Sequence, residues 1–153
     1  MSISISAFMT HDALWVAPES PIGQAWALMR KHHVRHLPVL TDGKVVGILS
    51  QRDLLKLESL ANVDRTKDPV SDAMTLNPYV VGPNEPMAGV VSAMAMRKLG
   101  CAIVVQADRP PGIFTTTDAL HAFATWLRGS GENVRHDEAR HEGGRPGSKE
   151  IPC

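Results

Sequence analysis

Gly47-Ile48-Leu49-Ser50-Gln51-Arg52-Asp53 and Gly112-Ile113-Phe114-Thr115-Thr116-Thr117-Asp118 are one pattern written twice, 65 residues apart. Each opens on glycine, runs through apolar residues to a hydroxyl side chain, and reaches an acid three residues later. An apolar run that feeds a helical pattern reads as a strand entering a helix N-terminus. Unpaired backbone N–H groups and the positive end of the helix dipole favour an anion there. A hydroxyl at Ser50 or Thr115 adds a donor for a phosphate oxygen. Asp53 or Asp118 supplies two acceptors of the kind that take both hydroxyls of a ribose. The same residues also fit a capping box, in which hydroxyl and acid satisfy the helix start and no ligand is needed. Both readings stand on these residues.

The period extends well beyond the motif. At the same offset Ser6 meets Ser71, Met9 Met74, Thr10 Thr75, Val16 Val81, Pro18 Pro83, Pro21 Pro86, Met29 Met94, Val39 Val104 and Leu55 Leu120. With the pairs inside the motif this gives about a dozen identities over about fifty positions, which marks an internal repeat.

Each copy has the same expected order. Leu14 to Ala17 and Tyr79 to Gly82 are short apolar runs ended by proline, suited to a brief strand. Pro21 and Pro86 then sit in a first helical turn. Ile22, Ala25, Trp26 and Met29 follow at helical spacing, as do Met87, Val90, Val91 and Met94. Leu37 to Leu40 and Val45 to Leu49 read as a hairpin about Asp42-Gly43, repeated by Ala102 to Gln106 and Gly112 to Phe114. A second helix is predicted from Asp53 to about Leu60 and from Asp118 to about Leu127. The fold class is therefore α/β, two tandem β-α-β-β-α repeats packed with pseudo-two-fold symmetry. The repeats span residues 5–61 and 70–128, joined by a polar linker at 62–69. One such unit buries only one sheet face and two helix stripes, so neither half is expected to be stable alone. Residues 129–153 mix glycine with charge, carry only Val134 and Ile151 as large aliphatics, and read as a disordered polar tail.

Composition narrows the function. The chain has 153 residues and is 43% hydrophobic, enough to bury a core. Sixteen basic residues balance sixteen acidic ones, so no electrostatic footprint for nucleic acid or an anionic membrane is present. No apolar stretch approaches the roughly 18 residues of a membrane span. The start, Met1-Ser2-Ile3-Ser4-Ile5-Ser6, lacks the basic and apolar regions of a signal peptide. Two cysteines, Cys101 and Cys153, make no disulfide framework and suit a reducing compartment. A cytoplasmic protein is expected.

Met-Thr at 9–10 and 74–75, the run Val34-Arg35-His36-Leu37-Pro38-Val39, and the two Gly-x-x-Ser/Thr-x-x-Asp motifs together resemble a tandem pair of cystathionine-beta-synthase-type (CBS) domains, also called a Bateman module. The resemblance covers about Ile5 to Leu127. It implies a flat pseudo-symmetric disc with two clefts between the copies, and a regulatory AMP, ADP or ATP ligand, with S-adenosylmethionine a less usual one. By the same resemblance Asp53 and Asp118 hold ribose, and Ser50 and Thr115 hold phosphate. Thr10, Trp15, Val34, Thr75, Val80 and Leu99 line the base pocket, and Arg35, His36 and Arg52 face phosphates, with Thr117 in the place of Arg52 in the second copy. The resemblance also implies a homodimer through helix faces. With no other folded domain in the sequence, regulation would pass to a separate, unidentified protein.

The copies differ where charge matters. Gly100, Cys101, Ala102 and Ile103 replace Arg35, His36, Leu37 and Pro38, so the two clefts are expected to bind unequally. Trp15 either stacks on adenine or blocks it. Arg109-Pro110-Pro111 removes ladder donors and should shorten the second hairpin.

Other chemistry is harder to build. His32, His33 and His36 suggest a metal cluster but lack a paired cysteine or acid at ligand spacing, and read as a helix end where cations suit the dipole. His136, His141 and Cys153 fall in the polar tail, and Met29, Met94 and Met96 read as core fillers. Cys101 reads as a small buried hydrophobe. No nucleophile has an evident base and orienter, so catalysis is not expected. Two readings remain, a ligand-sensing regulatory module and a ligand-free protein-interaction or dimerisation module.

Overall fold

The computed structural model describes residues 2–129. In chain order the elements are helix α1 (Ile22–His32), strands β1 (His36–Thr41) and β2 (Lys44–Ser50), helix α2 (Gln51–Leu60), strands β3 (Thr75–Leu76) and β4 (Val80–Val81), helix α3 (Met87–Arg97), strands β5 (Cys101–Val104) and β6 (Gly112–Thr115), and helix α4 (Thr116–Gly129). Short 3-10 turns at Ile5–Ala7 and Val70–Asp72 precede the two halves. The architecture is α/β and repeated, with two three-stranded sheets ordered β1-β2-β3 and β4-β5-β6. Of the expected polar tail, 129–153, Gly129 ends α4, and residues 130–153 lie outside the described residues.

The repeats are interleaved rather than merely adjacent. Ile5 and Met9, at the head of the chain, are buried in the second core with Val90, Met94, Ala102, Val104 and Phe114. Val70 is buried, and Met74 packs, in the first core with Trp26, Leu37, Leu49 and Leu54. The backbone repeats the exchange at the period of the sequence. Thr10 exchanges both hydrogen bonds with Ile113 (2.8 and 2.9 Å), while its counterpart Thr75 pairs with Ile48 of β2. Ser4 bridges Pro86, and Pro69 bridges Pro21. Each leading segment thus closes the sheet of the other repeat, so the core of each half contains side chains from the other's stretch of sequence.

The leading strands differ from the sequence expectation. In the second repeat β4 lies parallel to β5 through Ile103 N–H to the Tyr79 carbonyl (2.8 Å) and Val105 N–H to the Val81 carbonyl (3.0 Å). The expected strand at Leu14 to Ala17 is reduced to a single bridge between Val16 and Val39. The counterpart of Ile103 is Pro38, which has no N–H to donate to Leu14. Pro21 and Pro86 stand one residue earlier than expected, as the N-cap residues of α1 and α3. The second hairpin is short, four residues a strand. The second helices begin at Gln51 and Thr116, ahead of the acids.

Candidate functional site: two helix corners and the boundary between repeats

β2 runs without a loop into α2, and β6 into α4, so the hydroxyl of each motif becomes the residue that caps a helix. Ser50 is extended (φ −107°, ψ 158°). Its Oγ accepts from the N–H of Asp53 (3.0 Å), and its own N–H donates to Asp53 Oδ2 (2.8 Å). In the second corner the Thr115 N–H and hydroxyl both donate to Asp118 Oδ2 (2.7 and 2.9 Å), and the Asp118 N–H donates to Thr115 Oγ1 (3.3 Å). The capping box is therefore present twice. It engages one oxygen of each acid; among the described residues nothing donates to Oδ1 of Asp53 or Asp118. The first helical amides, of Gln51 and Thr116, donate to the carbonyls of Arg35 and Gly100 (2.9 and 3.0 Å). Each corner is thereby tied to the chain that enters β1 or β5.

Those entering residues meet at the boundary between repeats. A β-carbon built on Gly100 would lie 2.7 Å from His36 Nε2, so the imidazole is packed on the glycine backbone of the other half. Burial, and then the neighbouring Arg35 cation, lower the pKa of His36, while the Asp53 carboxylate opposes them. Cys101 belongs to the same cluster. Burial, reinforced by the Asp53 carboxylate of the first repeat, pushes its thiol up to about 12. Asp53 therefore acts on residues of both halves. Arg35 and Arg52 are exposed on the first-repeat side, whereas Gly100 and Thr117 supply no charge on the second.

The remaining residues that the resemblance singled out are dispersed over several surfaces. Thr10 lies beside β6, on the strand leading to Thr115, and Thr75 lies beside β2, on the strand leading to Ser50. Both threonines are exposed. Trp15 is 49% exposed. Val34 packs against the first core and Leu99 against the second. Val80 lines a cavity of about 260 Å3 between its own repeat and the hairpin turn of the first, with Lys44, Gln106, Arg109 and Pro111. Leu99 faces a different concavity, between α3 and α4, so it and Val80 do not share one pocket. His32 closes α1 and His33 caps it in the left-handed region (φ 53°), the place Lys98 takes after α3.

Sequence reading passed over the residues around Val80. Gln106 Nε2 is buried without a hydrogen-bond partner among the described residues, and Lys44 and Arg109 flank the same cavity. Lys44 opens β2, and Gln106 and Arg109 lie in the connection between β5 and β6, where the sequence marks only the break at Arg109-Pro110-Pro111. Arg109 is also ion-paired with Asp12 at 3.2 Å, which ties the second hairpin to the leading segment.

Similarity to known proteins agrees with this geometry. The CBS domain profile matches residues 5–59 and 70–125. An inosine-5'-monophosphate dehydrogenase of Korarchaeum cryptofilum is 32% identical over 124 residues, 78% of this chain. The match spans only 25% of that enzyme's length. Among solved structures, a putative acetoin utilization protein (AcuB) from Vibrio cholerae superposes with a TM-score of 0.74 at 26% identity, covering 84% of this chain and 95% of its own. CBSX2, solved in complex with AMP, superposes with a TM-score of 0.70 at 28% identity, covering 80% of this chain and 97% of its own. Two matched stretches on two interleaved, pseudo-equivalent halves make this chain a member of the CBS domain family, built as a tandem pair.

Proposed function

We propose that the chain is a non-catalytic regulatory module that binds an adenosine nucleotide, AMP, ADP or ATP, between its two CBS domains. The observation that carries the reading is the pair of strand-to-helix corners, each with a hydroxyl, a helix N-terminus and an acid whose Oδ1 accepts no bond from the described residues. Likeness to CBSX2, whose structure contains AMP, supports the choice of ligand. The ribose is assigned to Asp53 and Asp118, and the phosphates to Ser50 and Thr115. Arg35 and Arg52 make the Asp53 corner the tighter site for a charged ligand, since charge-assisted bonds to phosphate are roughly twice as strong as neutral ones. The module works as a cytoplasmic homodimer and passes its state to a separate protein, because a ligand shifts such an equilibrium by its differential affinity for two states. A nucleic-acid partner is not part of the reading, given sixteen basic against sixteen acidic residues.

A second reading has its own support. The capping boxes use both hydroxyls and both acids without any ligand, as an interaction or dimerisation module with empty clefts would. Thermal unfolding with AMP, ADP, ATP and S-adenosylmethionine separates the two. A ligand at about 100 times its dissociation constant should add roughly 2.7 kcal/mol of stability. Unshifted curves with all four would leave the interaction module.

A further inference from the structure

The turns of the two hairpins meet at a cavity that lies apart from both helix corners. It holds about 260 Å3 and is lined from the first repeat by Lys44 and from the second by Val80, Val105, Gln106, Arg109 and Pro111. Lys44 and Arg109 are counterparts at the offset of 65, so the same position of each repeat supplies a cation to one cavity. A site shared by two equivalent residues lies at the pseudo-two-fold axis and occurs once, whereas the strand-to-helix corners occur twice. It is also remote from them. β2 takes six steps from Lys44 to Ser50, about 20 Å of strand, and four steps lead from Pro111 to Thr115, about 13 Å. A nucleoside held at either acid does not reach that far.

The polar side chains of the cavity are donors. Gln106 Nε2 is buried and has no hydrogen-bond partner among the described residues. Arg109 gives one bond, from Nη2 to Asp12 Oδ2 at 3.2 Å, out of the five N–H donors of a guanidinium. Lys44 adds an ammonium, and the acids of the two turns, Asp42 and Asp108, are exposed and outside the lining. A buried amide N–H left unpaired costs free energy that an incoming acceptor recovers. Two cations beside it favour an acceptor that carries negative charge, and the guanidinium fork suits the plane of a carboxylate. The walls select for more than charge. Val80 and Val105 keep 43% and 45% of their surfaces exposed, and Pro111 adds further apolar surface. A fully hydrated ion leaves that surface wet, whereas an anion with a hydrocarbon body covers it. The cavity is smaller than the roughly 300–1,000 Å3 of sites for drug-sized ligands, so the body is a few carbons or a single ring.

We propose that the cavity between the hairpin turns binds a small carboxylate with an apolar body, its charge set between Lys44 and Arg109 and an oxygen accepting from Gln106 Nε2. Such a ligand is held by both CBS domains at once and ties their turns together. The site is separate from the nucleotide reading and does not rest on it.

Proton–nitrogen correlation spectra of the full chain, titrated with benzoate, with inorganic phosphate and with sodium chloride at matched ionic strength, test it. Benzoate should shift the side-chain amide of Gln106 and the backbone amides of Gly43 and Val105, and the shifts should saturate. Lys44→Gln and Arg109→Gln should each weaken benzoate binding at least about tenfold, the usual loss with a charged hydrogen bond. Gln106→Leu, which removes the unpaired amide, should bind benzoate more weakly yet melt no lower than the wild type. Asp53→Ala and Asp118→Ala should bind it as the wild type does, and saturating benzoate should leave the affinity for AMP unchanged. Shifts no larger than those with chloride would overturn the proposal and leave the amide to a buried water. Equal shifts with inorganic phosphate would overturn the apolar body, and displacement of AMP by benzoate would make the cavity part of a nucleotide cleft. The titration itself does not need AMP: a chain that bound no nucleotide should still show the benzoate shifts.

Discussion

Nε2 of His36 stands 2.7 Å from the point where a β-carbon on Gly100 would be, so an imidazole from one CBS domain is packed on bare backbone of the other. His36 and Gly100 are not exact counterparts, since Arg35 and Cys101 take the equivalent places. The boundary is therefore asymmetric at this contact. Gly100→Ala should lower stability by about 1–3 kcal/mol, the usual cost of overpacking. The same substitution in a His36→Ala background should cost far less, because the clashing ring is gone. Urea midpoints of the four proteins form the cycle, and equal losses in both backgrounds would remove the contact from the account.

The same contact gives stability a pH dependence of known sign. Burial and Arg35 lower the pKa of His36 in the fold, while in the unfolded chain it titrates at about 6.5. The unfolded state therefore binds more protons as the pH falls below about 6.5, and stability falls with it until the folded imidazole is also charged. Above that range the contribution is complete. His36→Gln should flatten this part of the curve, measured by urea unfolding between about pH 5 and 8. An unchanged slope would assign the acid sensitivity elsewhere.

Cys101 should be chemically quiet. Its thiol is pushed up to about 12, so near pH 8 it carries roughly a thousandfold less thiolate than an ordinary cysteine. In a Cys153→Ser background iodoacetamide should modify it only slowly until denaturant is added. Asp53→Asn, which removes the repelling carboxylate, should speed the reaction in the folded state. Rapid labelling of the unsubstituted thiol would contradict the burial described here.

Much of this was written in the sequence, and the exceptions have physical causes. The period of 65, the helix faces and the hydroxyl-to-acid spacing are local, and they appear in the structure as α1 to α4 and the two capping boxes. The interleaving is not local. Ser4, Ile5 and Met9 follow the same pattern as Pro69, Val70 and Met74, and no periodicity tells which sheet each segment closes. Strand existence differed twice: Leu14 to Ala17 keeps only a bridge, where the decisive atom is a hydrogen that Pro38 lacks, and Thr75–Leu76 forms a strand that only its pairing with β2 creates. In the candidate site, chain order brings Ser50 to Asp53 and Thr115 to Asp118. The pairing of His36 with Gly100, and the approach of Asp53 to Cys101, depend on how two halves pack.

The two acids should separate capping from binding. Asp53→Ala and Asp118→Ala each remove one side of a capping box, which costs about 1 kcal/mol of stability. If the corners hold a nucleotide, Asp53→Ala should in addition lose most of the affinity for AMP, and Asp118→Ala should lose less, because Arg35, His36 and Arg52 all lie on the first side. Calorimetric titration beside thermal melts reads both quantities. Lower melting with unchanged affinity would reduce the two motifs to helix caps.

The exchange of leading segments predicts damage far from the substituted residue in sequence. Ile5 is fully buried, and its neighbours in the core are Val90, Met94, Ala102 and Phe114, all from the second CBS domain. Ile5→Ala should cost about 2–5 kcal/mol, as other large-to-small core changes do. Its mirror, Val70→Ala, should be milder, since it removes fewer methyl groups, and should loosen α1 and β1 instead. Hydrogen exchange distinguishes the two sites: Ile5→Ala should deprotect α3, β5 and β6 first and Val70→Ala the first sheet. If instead each substitution weakened the repeat nearest to it in sequence, the two cores would be self-contained and the exchange of segments energetically idle. A shared deprotection of all six strands would also count against this prediction, since the halves would then open only together.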